Sequence, residues 1–238
     1  HFQPTPAMLD AALADGPIDG VIVASPSNPA GAMLDRPSLA ALVDWCTAHG
    51  ARLISDEIYH GITYRFPGTT ALALTDDAIV VNSFSKYFSM TGWRLGWMVV
   101  PQPMLRAIEC LTQNLNIAPP TLPQLAAPCV FDHLDLLDEL VAGYARNRAI
   151  LLEGLPKAGL TKLAPADGAF YIWADVGHLT DDSQAFCARL LEETDIAIAP
   201  GVDFDPDRGR HFVRFSFAGP TADIEQAVER LANWPGMR

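Results

Sequence analysis

No apolar run in this sequence approaches the length needed to cross a bilayer, and the opening His1-Phe2-Gln3-Pro4-Thr5-Pro6 carries no signal-peptide pattern. Basic clusters are missing as well. Lys and Arg number 16 against 28 Asp and Glu, for a formal net charge of −12. A nucleic-acid surface, which needs a basic patch, is therefore not expected. The four cysteines, Cys46, Cys110, Cys129 and Cys187, show no CxxC spacing. Three of them fall inside apolar helical patterns, so buried free thiols and a reducing, cytoplasmic setting are expected. The six histidines make no metal-ligand spacing, so no metal site is expected. There are no internal repeats and no low-complexity segments.

What is present reads as an ordinary globular chain. The 238 residues, 50% apolar and 18% charged, suffice for one large domain or two modest ones. Val21 to Ala24 reads as a short buried strand closed by the turn-rich Ser25-Pro26-Ser27-Asn28-Pro29-Ala30-Gly31. Pro37 to His49 reads as an amphipathic helix, with Leu39, Leu42, Val43 and Cys46 on one stripe and Gly50 as its stop. Arg52–Ser55, Ile79–Asn82 and Leu95–Val100 are the next strands. Apolar strands alternating with helices predict an α/β unit with a mostly parallel sheet.

From Pro103 the pattern turns helical. Leu134 to Leu155 forms one long helix, stopped by Gly154 and Pro156. A strand over Gly168–Trp173, a helix over Ser183–Glu193, strands over Ile196–Ala199 and Phe212–Phe217, and a closing helix over Thr221–Asn233 with Thr221 as N-cap complete the chain. Residues 1–140 are thus expected to form one domain, and residues 141–238 a smaller α+β domain.

The polar residues acquire an address from these strands. Asn28, Asp56 and the Ser83–Lys86 segment each follow a strand's carboxyl end, and in a parallel sheet those ends line the edge where ligands bind. Lys86 stands among aromatics in Ser83-Phe84-Ser85-Lys86-Tyr87-Phe88. Removing a lysine from water makes its amine a usable nucleophile or base. Taken singly, Asp56 could be a helix N-cap and Asn28 an ordinary turn residue. Arg214 lies inside the apolar strand pattern His211–Phe217 and needs a partner there. That partner is either an acid such as Asp203 or Asp205, or a carboxylate ligand. Gly168 serves either close backbone approach to that ligand or a tight turn.

The combined order Asn28-Pro-x-Gly, Asp56-x-x-Tyr59, Ser83-x-x-Lys86 and Arg94 eight residues beyond the lysine resembles the pyridoxal phosphate (PLP)-dependent aminotransferases of class I and II, of fold type I. The resemblance implies that Lys86 is the Schiff-base lysine and that Asp56 pairs with the pyridinium nitrogen. It implies that Tyr59 and Asn28 donate to the phenolate oxygen, and that Ser83, Ser85 and Arg94 hold the phosphate. Arg214, with Asn28, would bind the α-carboxylate of amino-acid and 2-oxo-acid substrates. Arg94 begins its strand, so it shares the site only if that strand runs antiparallel, as the resemblance implies.

The resemblance runs from about Phe2 to Trp234, but it matches only the latter part of a family member. An N-terminal arm and the first half of the large domain are expected to precede this stretch, with the intact protein a homodimer. Ala30 stands where many relatives have threonine. Three alternatives remain open. A C–S β-lyase would share the constellation. An aminotransferase-like sensing domain of a transcription regulator would share the fold. The Ser-x-x-Lys of penicillin-binding proteins would need Ser-Asp-Asn and Lys-Thr-Gly elements, and neither occurs in the sequence.

Overall fold

In the computed structural model, residues 2–237 are described, and the chain divides into two compact units. The first comprises the residues up to Ser27 together with Met33–Glu139. The second comprises Asn28–Ala32 and the residues from Leu140 onward.

In the first unit, β1 (Gly20–Ala24), β2 (Arg52–Asp56), β3 (Ile79–Ser83) and β4 (Gly96–Val99) form one sheet in the order β1-β2-β3-β4. The first three are parallel and β4 is antiparallel to β3, pairing Gly96 with Ser83. The mostly parallel sheet and the reversed fourth strand agree with expectation. The short α1 (Pro6–Ala12) precedes β1, and between β1 and β2 runs α2 (Arg36–His49). Asp35 caps α2, its Oδ1 accepting from the Ser38 N–H at 2.9 Å, and Gly50 ends it in the left-handed conformation at φ 67°.

Leu39, Leu42 and Cys46 of α2 pack with Val21, Val23, Leu53 and Val80 of the sheet in one buried cluster. The strand β1 nonetheless alternates. Ile22, central in a run that reads as wholly buried, is 73% exposed. α2 covers one face of the sheet, so a period-2 strand sends alternate residues to the other. The helices α3 (Leu105–Leu115) and α4 (Thr121–Ala126) follow, and α5 (Leu134–Lys157) begins in this unit and continues in the second.

In the second unit, β5 (Tyr171–Asp175), β6 (Ala199–Pro200) and β7 (Phe212–Ser216) form an antiparallel sheet in the order β5-β7-β6, accompanied by α6 (Ser183–Thr194) and α7 (Thr221–Asn233). Ile172, Val213, Leu155, Leu190 and Leu231 are fully buried in it. Two readings are corrected here. Gly154 does not stop α5, which continues through Pro156 to Lys157. A Cβ on Gly154 would fall 2.3 Å from Val228 Cγ1, so the glycine serves the close approach of α7.

Thr221 is not the N-cap of α7 but its first residue, after Pro220. Its hydroxyl instead donates to Asn147 Oδ1 at 2.7 Å, while Asn147 Nδ2 donates to the carbonyls of Phe217 and Gly219. A buried amide thereby finds its partners 70 or more positions away in sequence.

The segment Asn28–Ala32 belongs with the second unit rather than with the first 140 residues. Gly31 (φ 62°) is the reason. Its carbonyl accepts from the Gly168 N–H at 2.9 Å, and a Cβ there would fall 2.8 Å from the Gly168 carbonyl oxygen. Of the four cysteines only Cys46 and Cys187 are buried. Cys110 is half-buried and Cys129 exposed, which corrects the expectation for those two.

Candidate active site

In the first unit, β2 and β3 deliver the candidate residues to a common edge. Asp56 ends β2, level with Ala24 of β1 and Val81 of β3. The turn after it is held by backbone and side chain together. The Ser25 N–H donates to the Asp56 carbonyl, and the Glu57 N–H to the Val81 carbonyl at 2.8 Å. Asp56 Oδ1 accepts from the Ile58 N–H at 3.1 Å, an Asx turn that fixes the carboxylate.

Glu57, 3% exposed, accepts from Ser55 Oγ and the Ala71 N–H and faces His60 Nδ1 at 3.3 Å. A buried carboxylate needs such partners to offset its removal from water. Glu57 was not singled out from sequence, because its partners at Ala71 and His60 follow no motif.

Tyr59, buried by this turn, presents its ring to Lys86, whose Nζ lies 5.7 Å from the ring centroid. Lys86 sits in a closed turn beyond β3. Its carbonyl accepts from the Ser89 N–H, the Phe84 carbonyl from the Met90 N–H, and the Ser85 carbonyl from Thr91 Oγ1 at 2.7 Å. Aromatic rings frame it: Phe84 meets Trp97 at 4.8 Å and Phe88 at 5.1 Å, and Phe88 meets Phe131 at 5.4 Å.

Ser83 is engaged within the chain. Its hydroxyl donates to the Leu95 carbonyl at 3.2 Å and accepts from the Ser85 N–H at 3.0 Å. A serine has one hydroxyl proton, so Ser83 meets a phosphate as donor only by releasing Leu95. Arg94, in the left-handed conformation at φ 53°, donates through Nη1 to the Thr91 carbonyl at 2.8 Å and keeps its other donors. It lines a depression of about 490 Å³ together with Ser89, Thr91 and Trp93. Ser89 and Thr91 thus share this depression with Arg94, although the Thr91 hydroxyl donates to the Ser85 carbonyl.

The donor set of this unit fits pyridoxal phosphate. It offers a primary amine, a fixed carboxylate, a buried phenol and a guanidinium with neighbouring hydroxyls, all within two strand-end turns and the start of β4.

In the second unit, Arg214 of β7 donates through Nη1 to Asn28 Oδ1 at 2.7 Å. Its guanidinium lies 4.3 Å from the Tyr171 ring centroid and 4.5 Å from that of Phe204. Neither Asp203 nor Asp205 pairs with it, and Asp205 instead binds Arg208 at 3.0 Å. The salt-bridge reading of Arg214 therefore does not hold. Its Nε is buried without a hydrogen-bond partner, and no carboxylate among the described residues pairs with this arginine.

Because Arg214 can only donate, Asn28 Oδ1 is fixed as the acceptor and Nδ2 is left to donate elsewhere. The loop behind them is strained and pinned. Ala166 (φ 49°) and Ala169 (φ 57°) flank Gly168, and Arg148 Nε donates to the Ala166 carbonyl at 2.6 Å. The Gly168 N–H bonds backbone to backbone with the Gly31 carbonyl.

Among the described residues no group of three or more His, Cys, Asp or Glu could hold a metal ion, and no helix is long and apolar enough to cross a membrane.

Comparison with solved structures places this architecture in the aspartate aminotransferase fold. A Thermus thermophilus aspartate aminotransferase double mutant superposes with a TM-score of 0.85 at 30% identity, covering 96% of this chain and 60% of the other. An aminotransferase from Mycobacterium tuberculosis superposes at 0.93 with 52% identity, over 98% and 61% of the two chains.

The family described as aminotransferase class I and II matches residues 1–231, and the chain belongs to that family. A Mycobacterium tuberculosis protein named valine–pyruvate aminotransferase is 52% identical over 98% of this chain. The chain spans 61% of the length of that relative.

Proposed function

We propose that the whole protein is a PLP-dependent aminotransferase, moving an amino group between an L-amino acid and a 2-oxo acid by a ping-pong mechanism. The observation that carries this reading is the common address of Asp56, Ser83 and the Lys86–Tyr59 pair at the carboxyl ends of β2 and β3, in a chain of this family.

Lys86 would bond the cofactor's aldehyde through Nζ, and Asp56 would keep its ring nitrogen protonated. Tyr59 and Asn28 would donate to its phenolate oxygen, and Arg94, with Ser85 and with Ser83 on release of Leu95, would hold its phosphate. When bound, the cofactor supplies an electron sink for the carbanion left as the substrate loses its Cα proton.

The remaining work belongs to the chain. Arg214 orients the amino acid through its α-carboxylate, since a fork of guanidinium donors matches two carboxylate oxygens. Tyr171 and Phe204 hold the arginine's plane. Once the substrate's amine has taken its place on the cofactor, the freed Lys86 Nζ would take the Cα proton as general base and later give it up as general acid. We place the protein as a homodimer acting in amino-acid metabolism. The name of the 52%-identical relative puts valine and pyruvate first among the substrates to test.

The test is an absorption spectrum of the whole protein with PLP, before and after a panel of amino acids. A visible band that bleaches as keto acid appears is the expected result. A band that persists while pyruvate and ammonia accumulate would make the protein a lyase. No band at all would overturn the cofactor assignment.

A further inference from the structure

The turn that carries Lys86 is tied down by its own backbone on the β3 and β4 side, as described above. On its far side stands Tyr87, the next residue, which no motif explains. Its ring lies directly on Gly61, the glycine that closes the Asp56–Tyr59 turn. A Cβ built on Gly61 (φ 91°) would fall 2.5 Å from Tyr87 Cδ2 and 2.6 Å from Cγ. The ring meets Phe88 edge-on at 5.1 Å. Its hydroxyl donates to Asp138 Oδ1 at 2.6 Å, reaching α5 across 51 positions of sequence. Burial, and then the hydrogen bond and charge of Asp138, push that hydroxyl up to about 12, so it remains a donor at neutral pH.

We propose that Tyr87 is a positioning residue for Lys86: wedged on Gly61 and tethered to Asp138, it braces the lysine's turn against both the Asp56–Tyr59 turn and helix α5. This inference rests on the reading of Lys86 as the amine that bonds the cofactor. A lysine carries a flexible four-carbon stem, so the placement of Nζ is only as good as that of the backbone beneath it. Small displacements of a reacting group lower rates steeply.

The experiment uses the whole protein stripped of cofactor, in five forms: wild type, Tyr87→Phe, Asp138→Leu, the double variant carrying both, and the conservative Asp138→Asn. Asn keeps an oxygen to accept the tyrosine's bond. The first readout is the rate at which PLP is captured and fixed by borohydride, with the labelled lysine found by peptide mapping. The second is the split between kcat and KM, alongside the Tm.

Tyr87→Phe and Asp138→Leu should each slow capture at Lys86 and lower kcat by about tenfold with KM little changed, as expected for a misplaced reacting group. The double variant should be no worse than either single one, and Asp138→Asn should behave as wild type. If Tm falls while capture and kcat stay as in wild type, Tyr87 is only structural and the inference is overturned. If wild type captures the cofactor at Lys157 or Lys162 rather than Lys86, the reading beneath it fails instead.

Discussion

Arg214 Nη1 and Asn28 Oδ1 meet at 2.7 Å although 186 positions separate them in sequence. That one bond fixes the asparagine's amide, places a guanidinium free of acids between two aromatic rings, and ties the segment 28–32 to β7.

Arg214→Ala removes a contact that every amino-acid substrate shares. KM for all donors should rise by about ten- to a hundredfold, the worth of a charge-assisted hydrogen bond or two. Steady-state kinetics on several amino acids decide the matter: a penalty confined to one donor would mean that Arg214 reads a side chain. Arg214→Lys should recover little, because an ammonium cannot reproduce the planar fork.

Lys86→Ala should abolish both turnover and the visible band formed with PLP. Transamination near the wild-type rate would sink the assignment. Asp56→Ala should leave the band weaker, lower cofactor affinity on titration, and slow exchange of the substrate Cα proton. An unaffected exchange rate would mean that the pyridine's partner lies elsewhere.

Gly31→Ala should destabilise the protein by about 1–3 kcal/mol, since it combines a left-handed backbone with overpacking. The added Cβ would lie 2.8 Å from the Gly168 carbonyl oxygen, 3.0 Å from Ala166 Cα and 3.1 Å from the Tyr171 carbonyl oxygen. Denaturant unfolding measures the loss. An unchanged midpoint would show that the loop over Ala166–Ala169 can give way.

The thiols should separate by reactivity. Cys187 is pushed up to about 12, by burial first and then by Asp203, whereas Cys129 is exposed. Alkylation at pH 8 should therefore label Cys129 well before Cys187. A thiol whose folded value lies above its unfolded one stabilises the fold below the unfolded value of 9.0. That contribution is lost as pH rises through about 12. A Cys187→Ala variant should lose less stability than wild type between those limits, as followed by unfolding at stepped alkaline pH.

Much of this site was legible in the order of residues. Apolar runs of four or five residues, each followed by a polar turn, set Asp56, Ser83 and Lys86 at the carboxyl ends of strands. Strand period and turn chemistry are local properties, so the sequence alone determined those addresses, together with α2 and its Gly50 stop. It did not determine what faces what. That Ser83 gives its hydroxyl proton to Leu95 across the β3–β4 connection, and that Gly154 admits Val228 of a distant helix, are outcomes of packing rather than of local pattern. The partner of Arg214 is the clearest case. Sequence offered an acid or a ligand for it, and the tertiary structure supplied Asn28 and two rings, because only the folded chain brings β7 beside the segment that Gly31 holds.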